Sequence, residues 1–428
     1  MKRIINKGKI LLVDGPASVS LLSGKISVLG APLQIREKLV VREGKRLPLL
    51  VKKRVTVELT LGEGACITEV DEETLPTSWK YTAKEILSLN KPITVIVLGG
   101  MDSGKTSFCT FLVNEAVTNK FRTSIIDADL GQSDVGPPST VGFNFVTEPV
   151  KDLFDIDAQN AIFTGSTSPS GAINKIIKGL IQLKNRVMEA AVDLLVINTD
   201  GWIQGEEAAA YKIRLVEKVG PSAVVGIQRD NELTPILDTL HDVKVFTIAS
   251  PKLIQPRSRE KRKILRGLGY KKYLKGAKTQ SFSPGWLKVE DSIFGAGTPL
   301  PRKRLEKLKN LLGTRPVYAE ETVSAIFVVL RKSKAITEEQ SKAAQNYFGK
   351  RVKLIKEGDE EGLLVGLKDE EDKFLGIGIL EGVDYKRRTM KVYTPISEKV
   401  SVLCLSQIKL DKNCREIGLS TVYSSYLL

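Results

Sequence analysis

The segment Gly99-Gly100-Met101-Asp102-Ser103-Gly104-Lys105-Thr106 constrains this chain more than any other. It fits the spacing G-x-x-x-x-G-K-[ST], the P-loop. An apolar run, ITVIVL at 93–98, precedes it, and a helix-forming stretch at 105–119 follows. In that strand–turn–helix setting the glycines let backbone N–H groups close around phosphate oxygens, and the helix N-terminus favours the anion. Residues Gly99, Gly100, Met101, Asp102, Ser103, Gly104, Lys105, Thr106 and Ser107 are therefore the candidate nucleotide-binding set. Lys105 is expected to reach the outer phosphates, and the Thr106 hydroxyl to bind Mg²⁺. The competing reading is a glycine turn that meets no phosphate.

Around this motif the patterning divides the 428 residues into three parts. Residues 1–88 carry short apolar runs separated by Gly and Pro, the spacing of a small all-β domain. Thr82 to Glu85 match a capping box, which predicts a short helix opening at Thr82. From 89 to 315 apolar strands (93–98, 123–127, 161–165, 193–198, 223–227, 243–248) alternate with helical segments (105–119, 171–190, 204–218). Such alternation predicts a parallel, doubly wound α/β sheet with its ligand at the carboxyl ends of the strands. Residues 316–428 return to short strands, with one helix near 337–348, and read as a second small β domain.

The strand expected at 123–127 runs into Asp127-Ala128-Asp129-Leu130-Gly131-Gln132, which brings carboxylates beside the P-loop. P-loop enzymes use a carboxylate there to hold Mg²⁺ or to position the attacking group. A hydroxyl nucleophile also needs a proton acceptor. His241 is the single histidine and reads as a strand-edge residue without a chemical role, so Asp129 is the candidate acceptor. Asp127 is a candidate for metal or ribose contact. Two solvated aspartates in a plain turn are the alternative. Thr199-Asp200-Gly201-Trp202 ends the fourth strand, where the indole offers either a base-stacking face or ordinary packing. Phe163 to Pro169, FTGSTSP, ends the strand before it and is polar but unspecific.

Residues 257–278 contain ten Lys or Arg and one Glu. Arg262 and Arg266, four apart, share a helix face and are candidates for charge stabilisation at a transferring phosphoryl group. A lid, a nucleic-acid surface and a solvated helix all fit that run. The whole chain is basic, 65 − 50 = +15, which favours a polyanionic partner. Four cysteines without a CxxC pair fit a reducing, intracellular and cytoplasmic setting. The opening MKRIINKGKILLVDG is too short in apolar content for a signal-peptide core, and no run has the length of a membrane helix. Scarce His, Cys and Met beside abundant Lys, Arg and Glu suggest a heat-adapted source.

GGMDSGKT, DADLGQ, FTGSTSP and TDGW, in this order, resemble the polynucleotide 5′-hydroxyl kinase family of mRNA cleavage-factor and rRNA-processing kinases, in an archaeal type. GPASVSLLSGKISVLGAP and GIGILEGVDYKRRTMKVYTP in the flanking parts resemble it too. The resemblance implies transfer of the ATP γ-phosphate to the 5′-OH of RNA or DNA, with Mg²⁺ and with RNA-processing proteins as partners. It implies Lys105 and Asp129 as catalytic groups with a lid arginine from among Arg257, Arg259, Arg262 and Arg266, of which Arg262 and Arg266 are the candidates, and Thr106 with Asp129 at the metal. Gln132, Thr199, Gly201 and Trp202 would hold the terminal nucleotide. Some members have lost activity and act as ATP-holding scaffolds, which is the alternative function. A nucleotide hydrolase without an acceptor is a third, and Gln228-Arg229-Asp230 lacks the Asn-Lys-x-Asp pattern of guanine sites.

Overall fold

A computed structural model describes residues 1–71, 74–283, 287–291 and 297–420. The chain forms two compact units, Met1–Gly269 and Tyr270–Leu428.

The first unit opens with seven strands: β1 (Lys2–Ile5), β2 (Ile10–Asp14), β3 (Ala17–Val28), β4 (Ala31–Leu33), β5 (Lys38–Val41), β6 (Arg46–Leu61) and β7 (Cys66–Val70). Apolar residues alternate with polar ones along β3 and β6, so each strand has one face to bury. The two run antiparallel from Ala17↔Leu61 to Val28↔Leu49 and enclose Val19, Leu21, Val28, Leu49, Val51 and Val57.

Helix α1 (Thr77–Leu87) links this sheet to the next and starts five residues before the expected capping box. Thr82 lies inside it and is buried. Tertiary packing sets the start: the fully buried Trp79 stands edge-on to Phe108 and donates Nε1–H to the Ala249 carbonyl at 3.0 Å. That bond requires the first turn to form upstream of Thr82.

The second layer comprises β8 (Ile93–Gly99), α2 (Lys105–Thr118), β9 (Thr123–Ala128), β10 (Thr140–Val146), β11 (Asn160–Phe163), α3 (Ile173–Glu189), β12 (Leu194–Thr199), α4 (Glu206–Val219), β13 (Ala223–Gln228), α5 (Thr234–Leu237) and β14 (Lys244–Ala249). Its strand order is β11-β10-β9-β12-β8-β13-β14. Helices α3 and α4 pack on one face and α1 and α2 on the other, the doubly wound arrangement. The six strands read from the alternating pattern are all present. The sheet is not wholly parallel, because β10 is antiparallel to β9 and β11. The connection at 129–139 is too short for a helical crossover, so the chain doubles back. Gly142 admits that return, since a Cβ there would lie 2.2 Å from the Val135 carbonyl oxygen.

Helix α6 (Arg259–Tyr273) follows β14. In the second unit an antiparallel sheet pairs Lys278–Phe282 with Thr389–Thr394. Residues 270–315, which the sequence groups with the central domain, thus belong to this unit, and 421–428 lie outside the described residues. The expected C-terminal helix is Glu338–Phe348, opened by a reciprocal Thr337–Gln340 capping box. It connects the parallel strands Ala325–Leu330 and Arg351–Lys356, a βαβ element within a β-rich unit. Among the described residues no helix is long and apolar enough to cross a membrane.

Candidate active site

The P-loop lies between β8 and α2, as the motif predicts. Gly104 caps α2 with φ +100°, a left-handed conformation that glycine adopts without strain. A Cβ on it would press on Pro251, Ile254 and Trp79 at 3.1–3.4 Å. The loop forms one wall of a cleft of about 1210 Å³ whose lining lies wholly in the first unit. Gly100 to Ser107, Asp129, Gln132, Gly201, Trp202, Arg262 and Arg266 all line it; Gly99 is buried at the end of β8.

Lys105 folds back on its own loop and donates Nζ–H to the Gly100 carbonyl at 2.7 Å. Burial lowers its pKa, and the nearby Asp129 carboxylate opposes that shift. Burial raises the pKa of Asp129, again against Lys105. Backbone N–H groups of Gly131 and Gln132 donate to Asp129 Oδ1 at 3.1 and 3.0 Å, which fixes the side chain from one oxygen. Ser103 Oγ is buried without a hydrogen-bond partner. A partnerless hydroxyl inside a glycine cradle, beside a lysine, fits a phosphate as its absent partner.

Asp127 does not reach the cleft. It is fully buried, and its carboxylate accepts N–H donors from Asp129, Asp134, Val135 and the Asn198 side chain. Burial beside Asp129 and Asp134 pushes its carboxyl up to about 7. Its reading as a direct metal or ribose ligand therefore gives way to a structural one, in which it shapes the loop that carries Asp129. Asn198 also points its amide at Thr106 Oγ1, 3.4 Å away.

Thr199 is likewise turned inward: fully buried, it donates to the Val97 carbonyl at 2.8 Å and leaves the cleft to its neighbours. Gly201 is where the 200–202 turn meets the P-loop, since a Cβ would fall 2.7 Å from the Met101 nitrogen. Trp202 lines the cleft on one side and stacks on Tyr211 at 5.9 Å on the other. The indole therefore packs on Tyr211 and also borders the cleft.

Several lining residues escape sequence reasoning. Asp14, Arg42, Lys45 and Arg46 come from the N-terminal sheet, and Ser170 from the turn after β11, just beyond the FTGSTSP motif whose Thr167 and Ser168 also line the cleft. Arg42 and Lys45 form a buried ion cluster with Asp134 and Asp152 at 2.8–3.3 Å, tying the 129–139 loop to the N-terminal sheet. Arg42 also stacks over Phe154. The only hint in the sequence is the basic turn VREGKR. Helix α6 closes the far side: Arg262 Nη2 lies 2.7 Å from Asp102 Oδ2, and Gln132 Nε2 donates to the Arg262 carbonyl at 3.3 Å. Among the described residues no group of three or more His, Cys, Asp or Glu assembles as a metal site. Thr106 and Asp129, both lining the cleft, offer the oxygen donors that a hard cation such as Mg²⁺ prefers.

A P-loop at the carboxyl edge of a doubly wound sheet, facing a carboxylate and a basic helix, defines a P-loop nucleotide-binding protein. Residues 99–276 match the family model described as mRNA cleavage and polyadenylation factor CLP1 P-loop. The chain is 28% identical to a polyribonucleotide 5′-hydroxyl-kinase of Methanocaldococcus jannaschii over 77% of its length and 90% of the relative's. It is 28% identical to one of Pyrococcus horikoshii, covering 81% and 93%, and 25% identical to the Clp1 kinase of Xenopus tropicalis, covering 90% and 87%. Its fold superimposes on Clp1p from a Clp1p–Pcf11p complex with TM-score 0.67 at 13% identity, over 96% of this chain and 97% of that one. The chain is thus similar to CLP1-type P-loop proteins, through residues 99–276 in the family model and along most of its length in the relatives.

Proposed function

We propose that the chain is an ATP-dependent polynucleotide 5′-hydroxyl kinase, transferring the γ-phosphate of ATP to the 5′-OH of RNA inside the cell. The observation that carries this reading is the shared cleft: Lys105, Asp129, Trp202 and Arg262 all face one space. Names of the relatives, kinases of polyribonucleotides, support RNA as the acceptor.

The P-loop amides and Lys105 bind the triphosphate, Lys105 exchanging the Gly100 carbonyl for a phosphate oxygen. Ser103 Oγ gains the partner it lacks. Thr106 and Asp129 would hold Mg²⁺, which would supply positive charge against the outer phosphates. Trp202 stacks on the terminal base and Gln132 helps to hold the nucleotide. Asp129 takes the proton of the 5′-OH as that oxygen bonds to the γ-phosphorus. The bond from the γ-phosphorus to the β–γ bridging oxygen breaks, and ADP leaves. Arg262, with Arg266 one turn on, meets the charge that develops on the moving phosphoryl group. The nucleotide-handling part begins near residue 88 and, with the cleft lining confined to the first unit, ends before 270 rather than at 315. The Clp1p–Pcf11p complex supports a protein partner in RNA processing.

Incubation with γ-labelled ATP, Mg²⁺ and a 5′-OH oligoribonucleotide tests the proposal. Label on the RNA 5′ end, absent when the end is already phosphorylated, is expected. Release of free phosphate at a rate indifferent to RNA would refute it.

A further inference from the structure

Asp102 is an unexpected residue for a phosphate cradle. It is the one acid between Gly99 and Thr106, in a loop whose task is to receive several negative charges. A bare carboxylate there repels a triphosphate. Its conformation is also costly, since φ is +52°, a region that aspartate tolerates better than most side chains. What the residue obtains in return is visible in its contacts. Oδ2 accepts from the Arg262 guanidinium at 2.7 Å and from the Arg257 backbone N–H at 2.9 Å. Arg257 Nη1 lies 3.7 Å from Oδ1, and Arg229 Nη2 donates to the Asp102 carbonyl oxygen at 3.4 Å. Three arginines, two of them at the start of the basic segment, therefore converge on one P-loop residue. The carboxylate is only 9% exposed, while the side chains of Arg262 and Arg257 are 25% and 28% exposed.

We propose that Asp102 is a positioning residue that docks the arginine segment on the P-loop and holds the Arg262 guanidinium at the mouth of the phosphate cradle. The proposal rests on the kinase reading above. A free arginine side chain must be ordered before it can meet a transferring phosphoryl group, and that ordering consumes conformational entropy. Pairing with Asp102 orders it before ATP arrives. The pair also cancels the carboxylate's repulsion of phosphate. Gln132, by donating to the Arg262 carbonyl, fixes the same helical turn to the loop that bears Asp129. The arginine is thereby set between the two halves of the site.

The test is steady-state kinetics on the full chain. Asp102→Asn keeps a residue tolerant of left-handed backbone and an oxygen for the Arg257 N–H, and removes only the charge. We expect kcat to fall about tenfold, the effect of freeing one long side chain, while the KM for ATP stays level or drops. Asp102→Glu, which restores the charge, should recover most of kcat. Arg262→Ala should lose at least as much, and adding Asp102→Asn to it should change nothing further. A structural defect would move KM and thermal stability as well and would not respond to the glutamate. Unchanged kcat in Asp102→Asn, or losses that multiply in the double variant, overturns the proposal alone. Absence of transfer by the unaltered chain overturns the kinase reading and this proposal with it.

Discussion

Lys105 Nζ donates to the carbonyl oxygen of Gly100, 2.7 Å away in the same loop. The lysine is thus already in the cradle, its ammonium held by backbone where a phosphate oxygen would replace the carbonyl. Lys105→Ala removes the one side-chain cation of the loop. Transfer should fall by about 10²–10³-fold or more, the usual effect of deleting an electrostatic contact to the reacting group. Weaker nucleotide binding, read by titration calorimetry, should accompany it. Near-normal transfer by this variant would remove Lys105 from the chemistry.

Beneath the Trp202 turn lies an ion pair with no exposure to solvent on the lysine side. Lys212 Nζ is 2.8 Å from Asp200 Oδ2 and also donates to the Asp200 carbonyl oxygen at 3.0 Å. Tyr211 donates to the same carboxylate, and the Trp202 N–H to its other oxygen. Breaking a buried pair from one side leaves an uncompensated charge and costs about 3–5 kcal/mol. Lys212→Met should lower the unfolding midpoint markedly and loosen the turn. An unchanged midpoint in a denaturant titration would contradict this.

Trp202 has one face on Tyr211 and a side that lines the cleft. Trp202→Ala should weaken oligoribonucleotide binding by about 1–3 kcal/mol, the contribution of stacking on one base. Its KM for ATP should hardly change, because the indole is assigned to the acceptor. Fluorescence anisotropy with a 5′-OH oligonucleotide measures the effect, and unaltered affinity would leave packing as the sole role of the indole.

The pH dependence of kcat/KM reports the free enzyme. Burial raises the pKa of Asp129 above 3.8 and lowers that of Lys105 below 10.5. The acceptor must be ionised to take a proton, so activity should rise with pH through an acid limb above the ordinary aspartate value. It should fall through an alkaline limb below the ordinary lysine value, as the ammonium is lost. An acid limb at or below 3.8 would contradict the assignment of Asp129.

What the sequence disclosed follows the physics of each signal. Strands β8, β12 and β13 are buried on both faces, so they read as unbroken apolar runs, and helices α3 and α4 as amphipathic stretches. The P-loop was legible because its glycines and lysine are adjacent in the chain. Strand β10 was not, since Gly142 and Asn144 interrupt its apolar pattern and its antiparallel course depends on the loop returning at Val135. Thr199 and Asp127 sit in the right motifs, yet motif spacing does not reveal which way a side chain turns; both face the interior. Arg42 and Lys45 reach Asp134 and Asp152 across about ninety to 110 positions of chain, contacts that no local pattern encodes.

Single-turnover transfer from γ-labelled ATP to a 5′-OH oligoribonucleotide by Asp129→Asn tests the central claim most directly. Asparagine keeps the oxygen that accepts the Gly131 and Gln132 N–H groups, so the loop should stay in place and ATP should still bind. The account predicts transfer lowered by about 10²-fold or more, the contribution of a positioned proton acceptor. Transfer at the unmodified rate, with ATP bound as before, would contradict it.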